Sequence, residues 1–397
     1  MAADTSPTPS TAPLRLLAVG DVLIERDDPG SAFARCADVV NEGDVFFGNC
    51  EAVYADGVQF SPTASIPVVG SPDNAAGLGV AGFDVMSLSN NHTVDGGHEG
   101  LLQTLARVEE QGIATCGAGA NLAAARRPAI LERNGRRIAF FAYSCEFPAG
   151  YSATEDRPGI ATVRTHTVYV PSPLSAFQSG GAPDQFTVVD PRDLRSVRAD
   201  IAAVRDEVDL IVVSMHAGDG SRPAVITDFE RQLAQAVIDV GADAYLGHHH
   251  HMLRGAEYYR GKPVFYGLGH FVFDVPDFES QVPPTVLARM KEHAGEYGYG
   301  YRDDGYPLLP MHPEARMTMI AVCDFGADAE VRAGAIVCRL NPEGQPVPLS
   351  PREAAGQEVT EYLRWLNEQE QLEGEWHVGD SEIAGYAIVE LVPAGTR

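Results

Sequence analysis

The segment GADAYLGHHHHM, residues 241–252, decides how this chain reads. Gly241 closes an amphipathic helix over Phe229–Val240. The apolar run Ala244-Tyr245-Leu246 then predicts a short buried strand, which breaks at Gly247 into four consecutive histidines, His248–His251. Helix, glycine, strand and polar loop in that order are the repeating unit of α/β proteins. A Gly-x-His-x-His turn after a buried strand places two imidazoles on one side of a loop, where they hold a divalent metal or form an acid/base pair.

The same grammar repeats in both directions. Leu14–Val19 is an apolar run that breaks at Gly20-Asp21, Asp44–Gly48 precedes Asn49 and Glu51, and Asp84–Leu88 precedes Asn90-Asn91-His92. Leu101, Leu102, Leu105 and Val108 recur at helical spacing and predict a helix over Gly97–Gln111. Ile138–Tyr143 is the next strand; a helix over Arg192–Val208 leads to the strand Leu210–Ser214 and then His216. Lys262–Leu268 reads as a strand ending at Gly269-His270. Strands Met317–Asp324 and Ala333–Leu340, a helix near Pro351–Gln371 and a strand Tyr386–Val392 complete the chain. Strands alternating with helices predict a mixed or parallel sheet covered by helices, with functional groups at the carboxyl ends of the strands.

One domain over residues 14–397 is expected, preceded by a disordered tail at 1–13 rich in Ala, Ser, Thr and Pro. Two stretches lose periodicity and read as irregular inserts, at about 149–191 and 275–315. The second alternates tyrosine with glycine at Tyr297, Tyr299 and Tyr301. It is either a solvent-exposed loop or a mobile aromatic lid for a peptide substrate.

Bulk composition narrows the partners. The 397 residues are 45% hydrophobic, enough for a sizeable core, and the formal net charge of -26 argues against nucleic acid. Six cysteines without CxxC spacing read as buried free thiols. No run of 18 apolar residues and no signal-type leader is present, so a cytoplasmic protein without a membrane partner is expected. Oligomeric state is not legible.

The strand-end residues define one candidate site. Asp21 and Glu51 offer carboxylates, Asn91 an amide oxygen, and His92, His216, His249 and His251 ring nitrogens. Mixed oxygen and nitrogen ligation suits Mn, Fe or Zn, and Mg or Ca where oxygens dominate. Arg254 and Lys262 flank the histidine run and are candidates to hold a substrate carboxylate, or are surface charges.

At this point the chain resembles the CapA-like family, named for poly-gamma-glutamate capsule synthesis, within the calcineurin-like metallophosphoesterase superfamily. The resemblance rests on AVGDVL (18–23), GDVFFGNCEAV (43–53), FDVMSLSNNHTVDGGHEGLLQTL (83–105), GAGANLAAARRP (117–128), VDLIVVSMHAGDG (208–220), GHHHHMLRGAEYYRGKPVFYGLGHFVFD (247–274) and EGQPVPL (343–349). It implies an α/β fold of the calcineurin-like type, a four-layer αββα sandwich with mixed sheets and a metal-centred site at the sheet edge. The metal ligands it implies are Asp21, Glu51, Asn91, His216 and His249, holding one divalent ion, Ca, Mn or Mg in preference to Zn, with no organic cofactor.

The departures from the family's motifs carry their own information. Leu23 stands where two-metal phosphoesterases have the histidine of Asp-x-His, which weakens a second metal site. Ala217 and Gly220 replace the Trp and Glu of the family's His-Trp-Gly-x-Glu segment. His250 replaces the proline of His-Pro-His, and His270 replaces the asparagine of Leu-Gly-Asn-Phe. Two added titratable groups suggest proton-transfer chemistry.

Three functions follow. The first is a metal-dependent epimerase that inverts a Cα centre of a peptide, as in the lasso-peptide branch that the chain resembles. Its acid/base groups would be His92 with Asp95, and His250, His251 and His270, while Arg254, Tyr297, Tyr299 and Tyr301 would bind the peptide. The second is phosphoester hydrolysis by a metal-activated water. The third is an accessory role in poly-gamma-glutamate synthesis.

Overall fold

The computed structural model describes residues 13–395 except 65, 174–176, 178–179, 293–304, 310 and 327–329. Tyr297, Tyr299 and Tyr301, and all but the last residue of the 1–13 tail, therefore lie outside the described residues.

Among these residues, two sheets make the body of the fold. The larger has ten strands. Leu14–Leu23, Val45–Cys50, Val85–Ser87 and Ala114–Cys116 run parallel in that order. On its other side, Leu14–Leu23 pairs antiparallel with Met317–Phe325, which begins a meander through Val331–Leu340 and Tyr386–Pro393 to Gly374–Ile383. The smaller sheet has six strands, ordered Ala256–Tyr259, Lys262–Phe265, Ala244–His248, Leu210–His216, Arg136–Ser144 and Ala129–Arg133. Its four central strands are parallel.

Alternation along the strands explains the layering, since successive side chains of a strand point to opposite faces. Leu16, Ala18, Val45 and Phe47 join Phe140, Ala142, Val212 and Leu246 in a core between the sheets. Leu17, Val19 and Phe46 face outward, against Leu101 and Val108 of the helix Gly97–Glu110. Ala139, Phe141, Ile211 and Val213 face the opposite way, against Val197 and Ile201 of the helix Pro191–Val204 and Leu233 and Val237 of the helix Asp228–Asp239. Helix, sheet, sheet and helix stack in that order, which is the calcineurin-like αββα sandwich.

Three expectations are corrected. The 149–191 insert is not wholly irregular: Thr165–Val170 and Asp184–Val189 pair as an antiparallel ribbon, most of it exposed. Within 275–315, Phe278–Gln281 and Pro284–Glu292 are helical. The strand expected to run to Leu268 stops at Phe265, and His270 instead opens a new strand, His270–Phe273, parallel to the end of the first. That strand places His270 directly opposite Asp21. The approach is close enough that a Cβ at Gly20 would lie 1.8 Å from the Gly269 carbonyl oxygen, so position 20 admits only glycine.

Candidate metal centre

The first strand delivers Asp21 to the sheet edge, and the backbone N–H of Glu51 donates to the Val22 carbonyl at 2.9 Å, which brings the second carboxylate beside the first. Both residues are fully buried. Across the gap between the sheets, His216 and His248 end neighbouring parallel strands in register with each other. Val212 on one of these strands, and Ala244 and Leu246 on the other, face the inter-sheet core. Two-residue alternation turns His216 and His248 the same way, toward Asp21.

The contacts converge on one point. Glu51 Oε1 has the Nε2 atoms of His216, His251 and His92 around it at 3.6, 3.9 and 4.0 Å. None of these is a hydrogen bond, and neither Glu51 oxygen has any hydrogen-bond partner. His251 Nδ1 lies 3.5 Å from Asp21 Oδ2, and His248 Nδ1 lies 3.5 Å from Asp21 Oδ1. Asn91 Oδ1 is 2.6 Å and His249 Nδ1 3.2 Å from His216 Nε2. Ligand atoms of Asp21, Glu51 and His216 all lie within 4.8 Å of one another. Asn49 braces the group, donating to Asp21 Oδ1 at 2.9 Å while its own oxygen accepts from Asn90 at 3.2 Å.

The electrostatics match a cation. Burial works against ionisation of Asp21, but contacts with His248 and His251 and the nearby His216 hold its carboxyl well below the usual range. Burial, together with the charges of Asp21 and Asp95, pushes Glu51 well above it. Burial also lowers His216, His249 and His270, keeping those rings neutral, which is the ligating form of imidazole. A fully buried carboxylate with two unpartnered oxygens among neutral imidazoles is costly alone and favourable around a divalent ion. The residues therefore fit the metal that the strand ends predict, and Asp21, Glu51 and His216 are its core.

Two hydrogen-bonded pairs border this core. His92 Nδ1 sits 2.7 Å from Asp95 Oδ2, and Asp95 also accepts from the Val68 N–H at 2.7 Å and the Tyr151 hydroxyl at 2.6 Å. This places the ring proton on Nδ1 and leaves Nε2 facing Glu51. His251 Nδ1 meets His270 Nε2 at 2.7 Å, and the His270 ring stacks on Phe273 with centroids 4.0 Å apart.

Two residues stand elsewhere than expected. His250 makes its hydrogen bond with Glu230 of the helix Asp228–Asp239, at 2.8 Å, rather than with the Asp21–Glu51 group. Arg254 is fully buried, and its guanidinium donates to the Asp219 and Arg222 carbonyls at 2.6 and 2.8 Å, strapping a loop. Leu23 packs in the outer apolar layer and offers no ligand. The sequence reading gave no role to Asn49, Asn90, His248 or Glu230. For His248 the signal was present in the alternation of Ala244, Leu246 and His248. For Glu230 it was not, because the contact depends on how a helix packs.

His249 and His251 both have positive φ, 94° and 58°. Each such non-glycine residue costs on the order of 1–3 kcal/mol and persists only where surrounding structure dictates it. Among the described residues no helix is long and apolar enough to cross a membrane. All six cysteines are buried and free.

The family described as "Bacterial capsule synthesis protein PGA_cap" matches residues 15–275, a stretch that contains every residue of the centre. The uncharacterized protein y4sH of Sinorhizobium fredii is 29% identical over 307 residues, covering 65% of this chain and 66% of its own length. A probable polyglutamine synthesis accessory protein of Mycobacterium tuberculosis is 34% identical over 236 residues, 58% of this chain and 56% of that one. The capsule biosynthesis protein CapA of Bacillus anthracis is 29% identical over 235 residues, 59% of this chain and 48% of that one. The chain thus spans only 48% to 66% of these relatives' own lengths.

Proposed function

The chain belongs to the bacterial capsule synthesis family PGA_cap, and from that membership we propose that it is a metal-dependent enzyme of polyglutamate-type polymer synthesis, acting on a glutamyl chain. The observation that carries the enzymatic part is Glu51, fully buried, with neither oxygen hydrogen-bonded and three imidazole nitrogens within 4.0 Å of Oε1. The printed names of the mycobacterial relative, a polyglutamine synthesis accessory protein, and of the Bacillus relative, a capsule biosynthesis protein, support a setting in polymer synthesis.

A divalent ion held by Asp21, Glu51, Asn91, His216 and His249 would polarise a carbonyl and make a bound water acidic. The chain's own residues supply the rest. Asp21 and Glu51 provide the negative charge that retains the ion. His92 exchanges a proton at Nε2, with Asp95 fixing its tautomer and supporting the protonated ring. His251 carries a second proton on the other flank of Glu51, relayed to His270. Burial of the group keeps bulk water from levelling these charges.

A second reading, inversion of a peptide Cα centre, is favoured by one specific feature. The His92–Asp95 and His251–His270 pairs are two separate proton carriers, and both present Nε2 to Glu51, at 4.0 and 3.9 Å. Removing a proton from one face and returning it to the other needs two such groups. Incubating the Mn2+-loaded protein with γ-linked glutamyl oligomers and free-carboxyl peptides in D2O, read by mass spectrometry and chiral analysis, separates the readings. A change in chain length without Cα deuteration supports polymer chemistry. Cα deuteration with D-residues at constant length supports inversion. Neither change, with metal bound, overturns both enzymatic readings.

A further inference from the structure

We propose that Glu230 and His250 form a clamp that fixes the metal-facing loop, with Glu230 a positioning residue that acts through His250. The loop after the strand Ala244–His248 must present two imidazoles, His249 and His251, to the Asp21–Glu51–His216 group. It does so with both residues at positive φ. His250 lies between them and anchors the loop from behind: its Nε2 meets Glu230 Oε1 at 2.8 Å, with both side chains 1% exposed.

The socket around the ring is built for it. A Cβ at Gly218 would come 2.2 Å from His250 Nε2 and 2.5 Å from Glu230 Oε1, and a Cβ at Gly267 would come 2.9 Å from His250 Nδ1. Two glycines therefore clear space for this one imidazole. Glu230 is itself held, since its other carboxylate oxygen accepts from the Thr227 N–H and hydroxyl, each at 2.7 Å, as the capping box of the helix Asp228–Asp239. A rigid line runs from the helix N-terminus through Glu230 and His250 to two strained residues that face the centre. Strain at a functional loop persists only when such contacts over-determine it.

The clamp uses the metal-centre reading for one readout only; the other needs no metal. His250→Ala and Glu230→Ala should weaken Mn2+ binding, measured by isothermal titration calorimetry, by about 10–100-fold, as loss of groups that orient ligands does. Glu230→Gln, whose amide still bridges Thr227 and His250, should bind close to wild type. Thr227→Ala, which removes the hydroxyl contact but keeps the backbone N–H of residue 227 on Glu230, should do the same. In metal-free protein, hydrogen exchange of residues 247–253 should run roughly tenfold faster in His250→Ala and Glu230→Ala, and unchanged in Thr227→Ala. Should His250→Ala fail to fold, His250→Asn serves the same comparison. Wild-type exchange rates in the histidine variant overturn the clamp, as does equal loss in Thr227→Ala, which would make Glu230 a helix cap and nothing more. If wild type takes up no Mn2+, the metal reading falls while the exchange data still decide the clamp.

Discussion

Asp95 shows how far one side chain at the edge of the centre reaches. It has no contact with Glu51, yet it holds His92, the Val68 N–H and the Tyr151 hydroxyl, all within 2.7 Å. Asp95→Asn should leave metal affinity nearly intact and lower turnover by about 10–100-fold, because His92 loses the carboxylate that supports its protonated form. Asp95→Ala should in addition cost on the order of 3 kcal/mol of stability in urea unfolding, since it strands the buried Tyr151 hydroxyl and the part-buried Val68 N–H and His92 ring. At this scale much of the centre was legible: Asp21, Glu51, Asn91, His216 and His249 each follow a strand-like run. Asn49 lies in the strand Val45–Cys50 and His248 ends the strand Ala244–His248; alternation points to His248, but what each one touches depends on register across two strands, which a linear reading does not supply. His250 stands apart from the Asp21–Glu51 group because its partner Glu230, 20 positions upstream, lies on a helix, and the sequence does not say which face of the turn looks at that helix.

Elements decide what the loops can do. The helix Ala354–Gln369 packs Val359, Leu363 and Leu366 into the core between the sheets, and Glu370 just past its end accepts from the Gly255 N–H at 2.7 Å. Burial, offset by Arg254 and that N–H, raises Glu370 from 4.5 to about 7. A carboxyl with a raised folded pKa contributes stability that is present below its ordinary pKa and lost as pH climbs through the raised one. Glu370→Gln should therefore remove a loss of stability between about pH 4.5 and 7, worth up to about 3 kcal/mol at neutral pH, measured by urea unfolding across that range. An unchanged pH profile would contradict the assignment. Periodicity located this helix and the helices over residues 97–110, 191–204 and 228–239 to within a few residues, because each buries one apolar stripe. It missed the strand Gly374–Ile383 and the ribbon in the 149–191 insert, where exposed strands alternate too weakly to read.

For the whole molecule, the αββα layering follows from alternation in the two sheets, and the net charge of -26 would act on the approach of a glutamyl chain, the substrate proposed above. Repulsion between like charges is screened over about 8–10 Å at physiological salt. The KM for a glutamyl oligomer should accordingly fall as NaCl rises from low to physiological strength, while that for a neutral amide analogue stays flat. A KM that rises with salt would point to a local cationic site instead. Alternation of strands and helices made a mixed or parallel sheet covered by helices legible, and the four-layer arrangement came from the resemblance to the CapA-like family; the approach of the two sheets that sets His92, His216 and His251 around one carboxylate oxygen was not legible, since it is fixed only by packing. The most direct test of the account is metal stoichiometry, by equilibrium dialysis with elemental analysis, of wild type beside Glu51→Gln and His216→Ala. The account predicts one divalent ion per wild-type chain and an affinity loss of about 100-fold or more in each variant, the scale of losing a ligand from a buried site. A wild-type chain that takes up no ion, or a Glu51→Gln protein that binds as wild type does, would contradict it.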